Sequence, residues 1–392
     1  MTNLNIIYIG HSESSEAFFH SNNDLFEELN KEFGNLYFVD ANLFTKGKID
    51  NDKFPLNSNF KKVIFSSVSH FNKYFHGQKN VVICNFKRDL SAIKILWNLK
   101  KIKARSVIMS NFGNIQMSFI VSKKNPLRAL RTIFLRKISY RLILLLMIFR
   151  VLPQIDIRFS TNRLIYNNIH NNPIKKFLLK NGFLYQKKII LSKSRSAEYF
   201  LKNKDKVTED YIVHLDAFLN YKEETDIRGH FSNKIIQEHY FHLEKFLKKL
   251  SSIFDKKVVV CIHPLYDLDH HSKFFKDFKV YKFRTREFVY KSFITTTFDS
   301  SAIEDAVILK KNIIGFHSNF MSENEKYHAK NYANKVGYTF LDLIKDYEIT
   351  KEDLQMSFEK NKTNYDKHIK NFHLLDEFSK SHHKIIDELK KF

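Results

Sequence analysis

Between Lys257 and Phe316 the chain reads KVVVCIHPLYDLDHHSKFFKDFKVYKFRTREFVYKSFITTTFDSSAIEDAVILKKNIIGF. Short unbroken apolar runs alternate there with helical spacing, which leaves few folds open. Strands buried on both faces and joined by helical crossovers make a parallel sheet. Val258 to Ile262 is one such strand, and Pro264 forbids its continuation, so His263 is left at its carboxyl end. Phe293 to Thr296 is another, followed by Asp299, Ser300 and Ser301 and a helix expected to last to about Lys310. Ser301 and Glu304 have the S-x-x-E spacing of a capping box, which predicts a helix starting at the serines with its N–H groups pointing outward. In open α/β sheets ligands bind beyond the carboxyl ends of strands, and a helix N-terminus beside hydroxyls suits an anion. His263 and the Ser300-Ser301 pair are therefore expected to face one crevice.

The same alternation extends through the rest of the chain. Strand-like runs at Leu4–Ile9, Leu36–Val39, Val63–Ser66, Val81–Cys84 and Val107–Met109, with a helix from about Ser15 to Phe33, predict a first Rossmann-like domain. Its loops carry no G-x-G-x-x-G, so no dinucleotide fingerprint is present. The turn Asn111–Asn114 follows one strand. Pro153–Ser160 is extended, helical patterns cover Arg163–His170 and Pro173–Lys180, and Lys188–Leu191 is a further strand. The polar run Asn203–Asp210 reads as a linker, and Tyr211–Leu215 as a strand ending in Asp216. From Ser232 to Phe254, Ile236, Tyr240, Leu243, Leu247, Leu250 and Phe254 recur at alternating four and three, a core-facing stripe read as packing. Helical patterns run from Lys351 to Phe392.

A chain of 392 residues is too long for one ordinary core. The expected division is 1–203, 204–365 and a terminal helical segment 366–392 that crosses back to the first domain. Sixty-five basic against 42 acidic residues give a net charge of +23, which favours anionic partners. The excess is concentrated: between Asp89 and Glu198 the one acidic residue is Asp156. Within that interval a basic amphipathic stretch, 123–151, places Leu127, Leu130, Phe134, Ile138 and Leu142 at helical spacing. It suits a helix lying on an anionic membrane surface, or a core helix whose arginines snorkel. Its most apolar run, Leu142–Phe149, is far short of the ~20 residues that span a bilayer. Cys84 and Cys261 sit in apolar strands and form no disulfide framework, as expected in a reducing compartment. The start shows no basic n-region or cleavage site, so no secretory signal is expected.

Taken together, the strand followed by His-Pro (His263-Pro264), the Thr285-Arg286-Glu287 segment, the strand leading to Ser300-Ser301 and the run AVILKKNIIGF resemble the C-terminal half of bacterial GT-B glycosyltransferases that use CMP-activated sugars. The similarity runs from about Tyr211 to Phe316 and is closest to the retaining β-Kdo transferases of capsule and lipopolysaccharide assembly. Bacterial sialyltransferases share the His-Pro and Ser-Ser elements. The resemblance implies an α/β protein with two Rossmann-like domains facing a central cleft, the first binding the acceptor and the second a CMP-sugar. It implies that Asp216, in the context Leu215-Asp216-x-x-Leu219, is a nucleophile forming a covalent glycosyl-enzyme. An inverting enzyme would use the same carboxylate as a base. His263 and Ser300-Ser301 would hold the CMP phosphate. The chain departs from the family pattern at Asn220 and Lys222, where proline and histidine are expected. No cofactor or metal is implied, and the partners are a CMP-sugar, a glycan or glycolipid acceptor and an anionic membrane. The implied location is cytoplasmic, peripheral on the inner face of the membrane.

Three further groups carry candidate chemistry. Asp156 is either a salt-bridged structural residue or a second catalytic carboxylate, and Glu13, read in the loop after the first strand, is a similar candidate. Asp267 and Asp269 with His270 and His271 have metal-ligand chemistry, but acidic residues also suit the start of the helix expected there. The rival functions are a sialyltransferase, a CDP-polyol phosphotransferase of surface-polymer synthesis, whose family carries the same His-Pro and Ser-Ser elements, and a noncatalytic basic protein that binds membrane or nucleic acid. The βα layout lacks nucleic-acid recognition motifs, so nucleic acid is not expected as a partner.

Overall fold

A computed structural model of the protein describes residues 4–10, 12–47, 60–61, 63–85, 91–110, 138, 141–216, 233–264, 266–298, 300–317, 323–375 and 381–392. The chain divides into two compact units, with the divisions after Arg195 and after His373. Each is built on its own six-stranded sheet, and every strand pair is parallel.

The first unit contains β1 (Leu4–Gly10), β2 (Leu36–Asp40), β3 (Lys79–Asn85), β4 (Arg105–Ser110), β5 (Ile155–Ser160) and β6 (Gln186–Leu191) in the order β2-β1-β3-β4-β5-β6. Alternate residues of β1 enter opposite cores: Ile7 and Ile9 meet Val39, Val82 and Leu96, while Ile6 and Tyr8 meet Phe26, Phe38 and Val81. That two-sided burial is why β1 is apolar at nearly every position. The expected strand at Val63–Ser66 does not form. Lys61 bridges to Tyr37, and Phe65 is instead buried in an aromatic cluster with Phe71 and Phe75. The helix Ser12–Phe33 starts before the expected Ser15, so Glu13 lies in its first turn rather than in a loop. The helix Ser381–Lys390 completes this unit. Ile385 and Leu389 join its core, and Lys390 pairs with Glu32 at 2.6 Å.

The second unit contains β7 (Tyr211–Asp216), β8 (Lys257–Ile262), β9 (Lys279–Tyr281), β10 (Ser292–Thr297), β11 (Asn312–His317) and β12 (Thr339–Asp342) in the order β12-β11-β10-β7-β8-β9. The chain winds outward from β7 in one direction through β8 and β9, then returns to β7's other side and winds outward through β10, β11 and β12. The helix Asn233–Phe254 lays Leu243, Leu247 and Leu250 on this sheet, all fully buried, as the stripe predicted, and adds Phe246 beside them. Residues 203–210, expected as a linker, belong to this unit. Thr208 and Asp210 donate to the carbonyls of Tyr290 and Lys291 at 3.0 and 2.9 Å, and Lys311 donates to the Thr208 carbonyl at 2.6 Å. Main-chain hydrogen bonds hold the polar run down, and hydrophobicity alone does not report them. The turn Asn111–Asn114 and the part of the basic stretch before residue 138 lie outside the described residues. Among the described residues, no helix is long and apolar enough to cross a membrane.

Candidate active site of the second unit

The point at which the strand order reverses is the gap between β7 and β10, and in open α/β sheets a crevice opens there beyond the carboxyl ends. Asp216 closes β7 and pairs in register with Ile262, the last residue of β8, so His263 follows immediately beside it. On the other side Leu215 pairs with Thr297, the last residue of β10. The Thr297 hydroxyl then accepts from the Ser300 amide at 3.0 Å, which folds the serine turn back over the strand end. The register of three neighbouring strands thus brings Asp216, His263 and Ser300-Ser301 to one sheet edge.

Asp216 is the most elaborately held of these groups. It is 3% exposed. The Tyr240 hydroxyl donates to its Oδ2 at 3.0 Å, and His214 Nε2 lies 3.9 Å from its Oδ1. His214 is oriented from behind, with Nδ1 3.0 Å from the Thr296 hydroxyl and its ring stacked on Phe316. Burial by itself raises the carboxyl's pKa. The neighbouring imidazoles of His214 and His271 and the Tyr240 hydroxyl outweigh it and hold Asp216 below the usual carboxylate value. The same burial pushes the neighbouring His239 down to about 3, so that imidazole is neutral at physiological pH. The aromatic stripe of the helix Asn233–Phe254 is therefore more than packing, because Tyr240 ends on the carboxylate. A tyrosine at a core-facing position gives no sequence sign of where its hydroxyl points.

His263 is half-buried at the end of β8, its ring 5.4 Å from that of Tyr266, and Tyr266 stacks on His271 at 4.2 Å. These rings carry the imidazole set from the sheet edge back to Tyr240. Ser301 is exposed and Ser300 half-buried, but the capping box does not form. The helix after the serines is six residues, Ile303–Ile308, its cap position is Ala302, and no side chain caps it. The Ser300 hydroxyl accepts from the Ala302 amide at 3.3 Å. Glu304 does not reach back to Ser301 because it is bound elsewhere.

That destination lies far along the chain. Glu304 Oε2 accepts from His368 Nε2 at 2.9 Å and from His373 Nε2 at 2.7 Å, while its Oε1 accepts from the Tyr332 hydroxyl at 3.2 Å. All four residues are buried. Burial alone would raise Glu304, but the charge of His373 and the hydrogen bonds from both imidazoles bring it down to about 2. Among the described residues these three side chains also form a group able to ligate a metal. The ligands of a tetrahedral ion at 2.0–2.1 Å stand about 3.3 Å apart. The observed separations are those of hydrogen bonds, so the geometry is that of a buried ionic clasp. No local signal could have revealed it, since its members are 64 and 69 residues apart in sequence.

The remaining candidates lie on other elements. Asp156 sits at the amino end of β5 in the first unit and is 7% exposed. It accepts from Lys187 Nζ at 2.7 Å, Arg105 Nη1 at 3.2 Å and the Ser106 amide at 2.8 Å. Three donors on a buried carboxylate at the amino end of a strand fit the salt-bridged structural alternative. Glu13 lies on the helix that follows β1. Asp267 caps the helix Leu268–Ser272 by accepting from the His270 amide at 2.7 Å, so the acidic residues there serve the helix start.

No protein-family model matches the sequence, and no curated protein matches it significantly. Solved structures do share its architecture. The wall teichoic acid polymerase TagF in its H548A form matches over 99% of this chain and 89% of that chain, with a TM-score of 0.56 at 14% identity. The TagF H444N variant soaked with CDPG gives 0.56 at 15% identity over 99% and 88%. The chain has a GT-B fold. The UDP-GlcNAc 2-epimerase of Methanocaldococcus jannaschii aligns over 99% of both chains with a TM-score of 0.45 at 14% identity.

Proposed function

We propose that this GT-B chain is a glycosyltransferase that moves Kdo, or a related 2-keto-3-deoxy sugar acid, from a CMP donor to a bacterial capsule or lipopolysaccharide glycan. The observation that carries the reading is the convergence of Asp216, His263 and Ser300-Ser301 at the strand-order reversal of the second unit. In this scheme the ionised Asp216 attacks the anomeric carbon as the bond from that carbon to the phosphate oxygen breaks, and CMP leaves with the electron pair. The acceptor hydroxyl then displaces the carboxylate and gives its proton to solvent water, which restores Asp216 with retention. For Oδ2 to reach the sugar it must part from Tyr240, so that hydroxyl is exchanged for the substrate. His263 and the serine hydroxyls meet the phosphate as its charge grows. No metal or cofactor takes part in this scheme. Attachment to the inner face of the cytoplasmic membrane through the basic stretch 123–151 would bring a lipid-linked acceptor within reach.

A second reading is favoured by the likeness to the wall teichoic acid polymerase: a phosphotransferase that takes a CDP-polyol donor. Both leave a cytidine nucleotide, but the second transfers phosphate with the alcohol. CMP release should therefore be measured with CMP-Kdo, CMP-sialic acid and CDP-glycerol against a panel of glycolipid acceptors, with product masses. Turnover of CMP-Kdo with a phosphate-free product is expected. A phosphate-containing product from CDP-glycerol moves the chain to the second reading, and no turnover of any donor removes both. His263→Ala is expected to lower turnover of the accepted donor about 10²-fold, checked by initial rates at saturating donor. An unchanged rate would separate His263 from the phosphate.

A further inference from the structure

The crossover from β5 to β6 is made by two short helices, Arg163–His170 and Pro173–Lys180, and neither buries a single residue. Crossover helices ordinarily cover their sheet with an apolar stripe. Here Ile165, Ile169, Leu178 and Leu179 are half-buried, and a second set of apolar side chains is left outside: Leu164 is 51% exposed, Ile174 70%, Phe177 60% and Phe183 51%. Ile174 and Phe177, three apart, share one helix face.

The patch continues into an adjoining element. Residues 141–148 form a helix whose end exposes Leu145 at 50% and Phe149 at 74%. This end adjoins the loop after the second crossover helix. Gln154 donates to the carbonyls of Gly182 and Leu184 at 2.5 and 2.8 Å, and Arg150 Nη2 comes within 3.4 Å of the space a side chain on Gly182 would fill. One surface thus carries exposed phenylalanines and aliphatics from two segments. Such a surface is a docking site when something of matching chemistry covers it.

Its charge identifies the occupant. Lys175, Lys176 and Lys180 flank Ile174 and Phe177, and Arg150 lies at the junction. From residue 90 to 197 the one carboxylate is Asp156, and it is buried beneath Arg105 and Lys187. These two segments therefore contribute cations and apolar side chains and no carboxylate of their own. A second copy brought against them would set lysines against lysines. We infer that this crossover is a membrane-inserting element: Ile174, Phe177 and Phe183 enter the acyl boundary of an anionic bilayer while the lysines contact lipid phosphates. The inference rests on the reading of the chain as membrane-peripheral and adds a second contact, outside the stretch 123–151.

The test is flotation of the full chain with vesicles of phosphatidylcholine, with and without one quarter phosphatidylglycerol, at near-physiological salt. Wild type is expected to float with the anionic vesicles and to lose binding on pure phosphatidylcholine. Ile174→Ser with Phe177→Ser is expected to reduce partitioning at least about tenfold, with an unchanged melting temperature because neither side chain is in the core. Wild type that fails to float overturns the membrane reading and this inference together. A double variant that floats as wild type does overturns this inference alone and leaves attachment to the stretch 123–151. Wild type that elutes as a dimer, made monomeric by the double variant, overturns it in favour of self-association.

Discussion

Asp216→Asn is expected to lower turnover of the CMP donor by about 10³-fold or more while CMP itself still binds. The amide keeps the size of the carboxylate and can still accept from Tyr240, so the fold and the sheet edge stay in place. What is lost is the charge that meets the anomeric carbon. Initial rates with saturating donor and calorimetric titration with CMP separate the two effects, and a variant with wild-type turnover would reduce Asp216 to a structural group. The pH dependence follows from the depressed pKa. Because the folded value lies below the unfolded one of about 3.9, the carboxylate's contribution to stability is present above that pH and is lost as pH falls through the folded value. Asp216 is accordingly ionised throughout the neutral range, and a rate that falls between about pH 8 and 5 has to come from another group.

Glu304→Ala is expected to destabilise the protein by about 3–5 kcal/mol, the usual cost of removing one partner from a buried ionic cluster. It strips the acceptor from His368, His373 and Tyr332 at once and leaves two imidazoles buried without it. Urea denaturation followed by circular dichroism measures this. Glu304→Gln, which keeps an acceptor and the volume, should cost less. The folded pKa of about 2 lies below the ordinary carboxylate value of 4.5, so the clasp's contribution is complete above about pH 4.5 and is lost as pH falls toward 2. The wild-type urea midpoint should therefore fall more steeply over that window than that of Glu304→Gln. Equal slopes would mean that the charge of Glu304 does not stabilise the fold. The clasp also bears on the site. Glu304 stands three residues after Ser301 and ties that segment to the helix Lys351–Phe372, so loosening it should impair the serine turn as well.

The two effects differ in kind. One removes a charge at the sheet edge and acts first on turnover, whereas the other removes a charge behind that edge and acts first on stability.

Much of the architecture was legible in the residue pattern because parallel strands must be apolar on both faces. That requirement writes Leu4–Gly10, Tyr211–Asp216 and Lys257–Ile262 into the chain as short hydrophobic runs. Pro264 likewise marked where β8 stops and placed His263 at its end. Val63–Ser66 misled because an apolar run reports burial and not pairing, and Phe65 obtains its burial from neighbouring rings. Residues 203–210 misled for the opposite reason, since main-chain hydrogen bonds can hold a polar run against a domain as firmly as packing does.

Hydrophobic period, turn chemistry and charge balance are local quantities, and they determined that the chain makes parallel sheets, where the strands end, and that its surface is basic. Which ends meet, that Tyr240 reaches Asp216, and that Glu304 turns from its expected cap to two distant histidines were decided only by tertiary structure. Strand order and side-chain direction bring together groups that no spacing along the chain relates.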